Sequence, residues 1–359
     1  MTLRIGVNAL YLIPGGVGGT EIYLRNLLAA IAHVDRANTW VVFTNRETDT
    51  ELVPDAANFI RAPQKVRASN RPARILWEQA VLPAAAARRE VDVLLNPGFT
   101  CPLFSACPNV TVFHDLQHKR HPEYFRWFDL PAWQFLLWGA ARRSRVLIAD
   151  SAATRDDLRR YYGADSTVIH LGVEPELFAL AERREPRRFL LCLSTLHPHK
   201  NLDRLVRVFA GLGREDFRLV IAGVRGFFAD RLEALIAELG ASERIRITGW
   251  IPREQIHQLL RTAWAAVQPS AFEGFGLPVL EAMAAGVPVA CSDIPVFRET
   301  TGGCVPIFNP SDEGAMREAI LRLMDAPPDT TAAREHARQF TWQRTASETI
   351  AVLERAVSG

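Results

Sequence analysis

The sequence predicts an α/β protein made of two doubly wound parallel sheets covered by helices. Short apolar runs alternate with amphipathic stretches along the chain, and this alternation is typical of parallel sheets whose faces are covered by helices. The chain has 359 residues, a length that suits two domains of ordinary size. The two halves also begin alike, each with a strand, a loop and an amphipathic helix.

The strand candidates of the first half are short apolar runs separated by helix-like stretches. They are Arg4–Asn8, Trp40–Phe43, Val91–Leu95, Val110–Phe113, Val146–Asp150 and Ser166–His170. The first run leads through the glycine-rich segment Gly15–Gly19 into an amphipathic helix from Thr20. We expect Gly19 or Thr20 to be the N-cap of this helix, because both residue types are accepted at that position.

The glycine-rich segment Gly15–Gly19 is a weak match to a dinucleotide-binding loop. Its letters do not fit the G-x-G-x-x-G fingerprint, and Asn45 and Arg46 follow the second strand, so no acid stands out there. NAD binding is therefore the weaker interpretation, and a plain tight turn remains open.

A second series of strand candidates fills the other half of the chain. They are Phe189–Leu193, Arg218–Ala222, Ile245–Thr248, Ala265–Val267 and Val289–Ser292. The first leads through Ser194–Lys200 into an amphipathic helix with Asn201 as its expected N-cap. The charged segment 181–188 has the composition of a linker, which predicts a domain boundary near residues 170–187. The last segment, 345–357, reads as an amphipathic helix after a short strand-like or turn element at 340–342.

Composition and charge exclude several classes of protein. Nearly half of the residues are apolar and the formal net charge is +2, so nothing in the bulk charge indicates a nucleic-acid partner. The first eight residues read as a buried strand rather than a signal peptide, and no apolar run reaches the roughly 18–20 residues that cross a bilayer. The five cysteines lack a Cys-x-x-Cys pair, which favours reduced thiols in a cytosolic chain without a disulfide or metal framework.

The most informative segment is 270–289, which follows a buried strand. Gly274 and Gly276 allow a tight loop that approaches a ligand closely, and Leu277-Pro278 opens a helix. A glycine loop before a helix N-terminus is a place where an anion such as phosphate binds. Glu273 and Glu281 bracket this loop, and carboxylates accept hydrogen bonds from hydroxyls. Phosphate with hydroxyls indicates a nucleotide or a sugar phosphate.

Two further residues lie where parallel strands end. Lys200 precedes the first helix of the second half, where an ammonium adds charge to an anion site and suits a diphosphate. His114 follows the strand Val110–Phe113, and a histidine there can donate to a sugar hydroxyl or a phosphate. The alternatives are a solvated lysine and a structural histidine. His118, His121, His197 and His199 match no standard zinc spacing with the cysteines, so we expect no metal site.

These motifs resemble the retaining glycosyltransferases of family 4, group 1. The pattern Glu273 to Glu281 with Gly-Phe-Gly-Leu-Pro inside is similar to their signature, and the flanking segments 248–251 and 292–295 and Glu299 agree with it. Segment 195–201 resembles the Thr-Leu-x-Pro-x-Lys-Asn of the bacterial mannosyltransferase and polysaccharide-transferase branch. The family's usual Gly-Arg pair is replaced here by Ser194-Thr195, which puts a second diphosphate-binding cation in doubt.

The resemblance implies the GT-B fold, in which two Rossmann-like domains face a central cleft. Residues 1–172 would form the acceptor-binding domain and 173–339 the nucleotide-sugar-binding domain. The helix within 340–359 would cross back to the N-terminal domain. The implied reaction moves a hexose from a nucleotide-diphosphate sugar to a hydroxyl of a glycan, a lipid-linked sugar or a small molecule, with retention. Mannose and GDP-mannose are favoured, with UDP-sugars close behind.

The resemblance also implies roles for individual residues. Glu281 would hold the ribose of the donor, and Lys200 with the Gly276 and Leu277 amides would neutralise the leaving diphosphate. Glu273 would contact the transferred sugar, and His114 would lie on the opposite side. The remaining donor-binding candidates are Gly16, Ser194, Ile251 and Phe275. No metal or other cofactor is expected. Alternatives are a nucleotide-sugar epimerase, a pyridoxal-phosphate-dependent phosphorylase and a non-catalytic nucleotide-sugar-binding subunit.

An aromatic and then basic stretch spans residues 125–145. It contains Phe125, Trp127, Phe128, Trp133, Phe135 and Trp138, followed by Arg142, Arg143 and Arg145. The favoured interpretation is a helix whose aromatics lie in the core and whose basic end is solvated. The alternatives are a membrane-surface element that reaches a lipid-linked acceptor and a set of rings near the acceptor site. We expect a cytoplasmic protein; peripheral contact with the inner face of the membrane and the oligomeric state stay open.

Overall fold

A computed structural model describes residues 2–16 and 18–358 of the chain. Val17 of the glycine-rich segment therefore lies outside the described residues. The chain divides into two compact units. Unit 1 comprises Met1–Gly172 together with Trp342–Gly359, and unit 2 comprises Val173–Thr341.

Unit 1 contains a seven-stranded parallel sheet with the strand order β3-β2-β1-β4-β5-β6-β7. The strands are β1 (Arg4–Ala9), β2 (Thr39–Thr44), β3 (Phe59–Pro63), β4 (Val93–Asn96), β5 (Asn109–Phe113), β6 (Val146–Ala149) and β7 (Thr167–Val168). The order reverses between β1 and β4, and in open α/β sheets ligands bind at such a switch point, outside the carboxyl ends of the strands.

The helices of unit 1 lie in the connections between its strands. They are α1 (Gly19–Val34), α2 (Arg71–Ala80), α3 (Leu82–Arg88), α4 (Gln117–Arg120), α5 (Leu130–Arg143) and α6 (Ala152–Tyr162). A short 3₁₀ turn lies at Pro122–Tyr124. One core cluster joins α5 and α6 to β5 and β6 through the buried residues Leu137, Leu158, Phe113 and Leu147.

Unit 2 contains a six-stranded parallel sheet with the strand order β10-β9-β8-β11-β12-β13. The strands are β8 (Arg187–Leu193), β9 (Arg218–Ala222), β10 (Ile245–Gly249), β11 (Ala263–Gln268), β12 (Val289–Ser292) and β13 (Ile307–Phe308). This is the Rossmann order 3-2-1-4-5-6, with its switch point between β8 and β11. The observed sheets confirm the predicted fold class.

The helices of unit 2 alternate with its strands. They are α7 (Pro175–Leu180), α8 (Leu202–Ala210), α9 (Ala229–Glu238), α10 (Arg253–Thr262), α11 (Leu277–Ala284), α12 (Pro295–Thr301), α13 (Glu313–Asp325) and α14 (Thr331–Ala337). Short 3₁₀ turns lie at Ala181–Arg183 and Pro198–Lys200. Buried Leu205 of α8, Leu232 of α9 and Ile320 of α13 share one apolar core with the sheet.

The C-terminal helix α15 (Trp342–Ser358) belongs to unit 1. It packs against α1, β4 and β5. The ring of Trp342 meets that of Tyr23 on α1 edge-on at 6.1 Å, and Val352 and Leu353 are buried. The chain thus returns to its first sheet after completing the second one.

Two strands were missed by the sequence interpretation, and one of the two predicted helix caps is wrong. The missed strands β3 and β13 are both edge strands; β3 carries an arginine and ends at Pro63, and β13 has two residues. Helix α1 has Gly18 as its N-cap, with φ 62°, instead of Gly19 or Thr20. Asn201 is the N-cap residue of α8, as predicted, but its side chain makes no capping hydrogen bond. Its amide donates to the carbonyls of Pro269 and Pro310 instead.

The favoured interpretation of the aromatic stretch is wrong for most of its rings. Leu136, Leu137 and Ala140 form the buried face of α5, and Trp133 is half-buried. Trp127, Phe128, Phe135 and Trp138 are exposed. The reason is that the leucines and alanines of α5 fill the core face, which leaves the large rings on the other side of the helix and in the segment before it.

Candidate functional site

The loops at the carboxyl edge of the unit 2 sheet are tied to one another. The Ser194 amide donates to the Ala222 carbonyl at 2.8 Å, and the Leu196 amide donates to the Val224 carbonyl at 3.1 Å. This approach requires a glycine, because a Cβ on Gly223 would lie 2.3 Å from the Ser194 carbonyl oxygen. The predicted site residue Ser194 is buried here, and its hydroxyl donates to the Thr195 carbonyl at 3.1 Å.

Lys200 and Glu273 form an ion pair at this edge. The Lys200 ammonium lies 2.7 Å from Oε2 of Glu273, and both side chains are largely buried. Lys200 ends the 3₁₀ turn after β8, and Glu273 lies in the loop between β11 and α11. The Ala271 amide joins the two loops by donating to the His199 carbonyl at 2.8 Å. The structure thus brings together two residues that the sequence placed near different groups of a ligand.

The second oxygen of Glu273 is held by neutral donors. Its Oε1 accepts hydrogen bonds from the Ser270 hydroxyl at 2.8 Å and from the Gln268 amide at 3.4 Å. Gln268 ends β11, so the strand itself fixes one of these donors. The carboxylate is therefore oriented by a cation on one oxygen and by two uncharged groups on the other.

The N-terminus of α11 follows Glu273 after three residues. Its N-cap Gly276 has φ 90°, and a Cβ there would lie 2.5 Å from the ring of Phe297. Pro278 stands in the first turn, where its missing N–H costs nothing. Phe275 is buried and meets the ring of Phe340 edge-on. The predicted residues Phe275, Gly276 and Leu277 therefore form one rigid turn, whose helix dipole favours a negative charge.

Glu281 lies one turn further along α11 and pairs with Arg253. An Arg253 guanidinium nitrogen lies 2.6 Å from Oε1 of Glu281, and the same side chain makes bonds of 2.9 and 3.0 Å to Glu174. His257 contacts Glu174 from the next turn of α10, at 3.1 Å. Burial lowers the pKa of Arg253, but the carboxylates of Glu281 and Glu174 outweigh it, so that the pKa lies above its usual value.

Sequence reasoning missed Arg253, Glu174 and His257. Arg253 begins α10, two residues after the predicted site residue Ile251, which is half-buried. The available signal was the position of Arg253, since it follows the carboxyl end of β10 by four residues. Nothing in the sequence paired it with Glu281, because the two residues lie 28 positions apart in the chain and meet only when it is folded.

His114 lies at the carboxyl end of β5 in unit 1, where both ring nitrogens have acceptors. Nδ1 lies 2.6 Å from Oδ2 of Asp150, and Nε2 lies 2.8 Å from the Pro97 carbonyl. Burial lowers the pKa of His114, but the Asp150 charge and the two hydrogen bonds raise it above its usual value. Both nitrogens donate when the ring is an imidazolium. Asp150 was missed as a partner because the sequence interpretation counted it as the last residue of a strand.

The loop 97–99, whose Pro97 carbonyl accepts a hydrogen bond from His114, is packed tightly. Phe99 has φ 68°, which is uncommon for a non-glycine residue, and its ring meets that of His114 edge-on at 5.1 Å. A Cβ on Gly98 would lie 2.4 Å from the ring of Tyr11. Such strain persists only where the surroundings over-determine it, and it is common at functional sites.

Gly16 lies in a turn between β1 and α1 in unit 1. Its amide donates to the Ile13 carbonyl at 2.9 Å, and a Cβ there would lie 3.1 Å from the Ile13 side chain. Gly15 and Gly18 have φ values of 69° and 62°. The described part of the loop is therefore a tight turn at the carboxyl end of β1.

The histidines and cysteines outside these clusters have other surroundings. The His118 ring lies 2.5 Å from the Tyr162 hydroxyl, and burial lowers the pKa of His118 to about 4. All five cysteines are free thiols. Within residues 2–16 and 18–358, no three His, Cys, Asp or Glu side chains are arranged to hold a metal ion. The same residues include no helix long and apolar enough to span a membrane.

Two family models match the chain, one on each unit. Residues 17–177 match the family described as Glycosyltransferase Family 4. Residues 173–340 match the family described as Glycosyl transferases group 1. Together they cover nearly all of both sheets.

Curated relatives include two named mannosyltransferases. The chain is 30% identical over 251 residues to the MMP alpha-(1->4)-mannosyltransferase of Mycolicibacterium hassiacum, covering 67% of this chain and 60% of that protein. It is 30% identical over 262 residues to the O-antigen chain mannosyltransferase B of Escherichia coli, covering 67% of this chain and 68% of that protein. The match to the first relative thus leaves about two fifths of that protein uncovered.

Solved structures of similar fold cover almost the whole chain. Sucrose-phosphate synthase from Thermosynechococcus elongatus superposes with a TM-score of 0.81 and 20% identity, covering 99% of both chains. HepE from Anabaena, solved in complex with UDP and glucose, superposes with a TM-score of 0.75 and 19% identity, covering 98% of this chain and 99% of that one. At these identities the likeness shows a shared fold.

Proposed function

Because the chain belongs to the family 4, group 1 glycosyltransferases, we propose that it transfers a hexose, with mannose favoured, from a nucleoside diphosphate sugar. The acceptor would be a hydroxyl of a glycan, a lipid-linked sugar or a small molecule. The observation that carries this proposal is the Lys200–Glu273 pair beside the N-terminus of α11, with Glu281 one turn further along the same helix. The names of the two mannosyltransferase relatives support the choice of sugar.

The charge at this edge suits a leaving diphosphate. A diphosphate near Lys200 would compete with Glu273 for the ammonium, and the dipole of α11 would add partial positive charge from the other side. Stabilising the negative charge that develops on the leaving group is the largest catalytic effect that such a site offers. We therefore include metal independence in the proposal, with Lys200 and the amides of the Gly276 turn supplying the positive charge.

Glu273 and Glu281 would accept hydrogen bonds from two different sets of hydroxyls. In the proposal Glu281 binds the ribose through the oxygen that Arg253 leaves uncovered, and Glu273 binds the sugar being transferred. A carboxylate that already has fixed partners needs little reorganisation when a hydroxyl approaches. Ser194, Ile251 and Phe275 would line the donor through their backbones, and Gly16 stays in the proposal as a further donor-binding residue.

The proposed transfer proceeds with retention. The bond between the anomeric carbon and the leaving phosphate oxygen breaks, and the acceptor oxygen forms its bond on the same face of the sugar. The acceptor proton passes to the leaving phosphate oxygen, so no second carboxylate of the glycosidase type is required. His114, held by Asp150, would contribute a hydrogen-bond donor by exchanging its bond to Pro97. The proposed location is the cytoplasm.

The first experiment combines binding and turnover. Purified protein is screened with GDP-mannose, UDP-glucose and other nucleotide sugars, since a ligand that binds the folded state raises its melting temperature by mass action. Turnover of the donor that binds is then followed with a panel of sugar acceptors, and the anomeric configuration of the product is read by NMR. An α-linked product from an α-linked donor supports retention. Release of altered sugar without an acceptor would instead indicate an epimerase.

The residue assignments are tested with matched variants. We expect Lys200→Ala and Glu273→Gln each to reduce turnover by roughly 10²–10³-fold, because each removes charge or orientation at the reacting group. The exposed residues Lys65 and Glu238 supply the control variants Lys65→Ala and Glu238→Gln, which should retain activity. Near-normal transfer by Lys200→Ala or Glu273→Gln would overturn the assignment of that residue.

A further inference from the structure

Unit 1 has five exposed aromatic rings on α5, in the segment before α5 and in the segment before β5, and these are here called the aromatic surface. Its members and their exposed fractions are Phe104 (75%), Trp127 (83%), Phe128 (58%), Phe135 (58%) and Trp138 (47%). Among the described residues, two other aromatic side chains, Phe227 and Trp250 of unit 2, rank with the exposed large hydrophobics. Scattered exposed apolar residues need no explanation, but a concentration of rings in one region marks an interaction site.

Two pairs of these rings are in contact, Trp127 with Phe128 at 5.8 Å and Phe135 with Trp138 at 6.2 Å. Phe135, Trp138 and Arg142 follow one another at helical spacing on the side of α5 opposite its buried leucines. The segment before the strand β5 lies against the same helix, since a Cβ on Gly139 would be 2.6 Å from Leu103. The neighbouring Phe104 ring then lies under the Arg143 guanidinium, 5.2 Å from it.

Arginines without an acidic partner border the rings. Arg126, Arg142, Arg143 and Arg145 are exposed, and none of them forms an ion pair with another described residue. Arginines elsewhere in the unit behave differently: Arg120 pairs with Asp157, and Arg155 pairs with Asp156. The surface therefore offers positive charge that the protein itself does not neutralise.

A groove adjoins the arginines at the amino ends of β5 and β6. It has a volume of about 880 Å³ and is lined by Phe104, Ser105, Arg143, Ser144 and Arg145, among others. Two guanidinium groups and two hydroxyls at the border of the aromatic surface suit a phosphate group that is attached to an apolar chain.

We propose that the aromatic surface docks on an anionic lipid bilayer, with lipid phosphates bound by the arginines of the groove. Trp and Phe side chains of an amphipathic helix bury their rings at the boundary between headgroups and acyl chains, and basic residues beside them bind anionic headgroups. Charge favours this partner over a protein, because a partner protein would have to supply a dense acidic and apolar patch. The proposal does not depend on the transfer chemistry; if both hold, docking brings the enzyme to a lipid-linked acceptor.

Vesicle binding tests the proposal directly. The full chain is sedimented with vesicles of phosphatidylcholine alone and of equal parts phosphatidylcholine and phosphatidylglycerol, without any nucleotide sugar. We expect roughly tenfold or stronger binding to the anionic vesicles, and weaker binding at high salt because surface charges are screened. Equal binding to both kinds of vesicle, or none to either, overturns the proposal.

Variants separate the rings from the charges. The double variants Phe135→Ser with Trp138→Ser, and Arg142→Gln with Arg143→Gln, should each lose most of the anionic binding. Phe227→Ser, which removes an exposed ring from unit 2, should keep it. Circular dichroism and the melting temperature check folding. If the ring variant unfolds, Trp127→Ser, which lies before the helix, replaces it.

The oligomeric state tests the alternative that the aromatic surface binds a second copy of this chain. The proposal is wrong if the wild type is a dimer in gel filtration, the ring variant is a monomer, and neither binds anionic vesicles. The surface is then a protein interface. A failure of vesicle binding leaves the donor-binding and turnover experiments unaffected, because those use soluble nucleotide sugars.

Discussion

Arg253 holds one carboxylate oxygen of Glu281 at 2.6 Å and binds Glu174 with the same guanidinium. An arginine fork fixes both the position and the plane of the groups it binds. One oxygen of Glu281 is thus held by a guanidinium that also binds a second carboxylate. Arg253 acts through Glu281 and is therefore a positioning residue for the proposed ribose contact.

The change Arg253→Met should weaken donor binding more than it slows the chemical step. The KM for the donor should rise about tenfold, because Glu281 loses its orientation, while kcat changes less. The discrimination between ribose and 2′-deoxyribose donors should shrink, which a purely structural residue would not affect. The free energy of unfolding should fall by about 2–3 kcal/mol, since two largely buried carboxylates lose their partner. Arg246→Met, on the exposed side of β10, is the control for both measurements.

The change Ser270→Ala tests the orientation of Glu273. It removes the 2.8 Å hydrogen bond to Oε1 and leaves the Lys200 ion pair in place. A hydrogen bond to a charged group is worth about 1.5–3 kcal/mol, so kcat should fall by roughly tenfold or more. The measurement is kcat with saturating donor. Ser347→Ala on the exposed side of α15 should have no effect; if Ser270→Ala matches it, Glu273 does not need this donor.

Much of the fold was predictable, and the site was predictable only in part, for a physical reason. Apolar runs between helical patterns located the central strands, because those strands are buried on both faces. The edge strands β3 and β13 were not predicted, because their residues are less buried. Lys200, Glu273 and Glu281 each carried a local signal in a strand–loop–helix context. Their partners did not: Arg253 reaches Glu281, and Asp150 reaches His114, across contacts that only the folded chain makes.

The same argument explains the error in the aromatic stretch. Periodicity shows that α5 has two faces, but both faces carry large apolar residues. Which face enters the core depends on the space beside β5 and β6. The leucines fill that space, and the exposed rings are the result.

The change Asp150→Asn should lower the pKa of His114 and alter the pH dependence of stability. The Asp150 carboxylate raises the pKa of His114 in the folded state against the effect of burial. Because this folded pKa lies above the unfolded value of about 6.5, the stabilisation is fully present below about pH 6.5 and is lost as pH rises through the folded pKa. The stability difference between wild type and variant should therefore be larger in acid than in alkali.

Urea unfolding across this pH range, with the ring protons of His114 followed by NMR, measures both quantities. Asp55→Asn replaces an exposed aspartate of the same unit and should leave the titration of His114 unchanged. A His114 pKa that is the same in Asp150→Asn and wild type would show that the ion pair does not control the charge of this ring.

The change Gly276→Ala should damage both stability and donor binding. The backbone of Gly276 has φ 90°, and a Cβ would lie 2.5 Å from the Phe297 ring, so the residue would meet conformational strain and a clash at once. Strain alone costs about 1 kcal/mol, and the clash should add about 1–2 kcal/mol. Gly303→Ala is a matched control, because Gly303 has φ 75° but open space around the added methyl group. Thermal unfolding should show a clearly larger loss for Gly276→Ala, and nucleotide-sugar titration should show weakened binding for that variant alone. Equal losses in the two variants would mean that the turn before α11 tolerates displacement of Phe297, and that its geometry does not define the anion site.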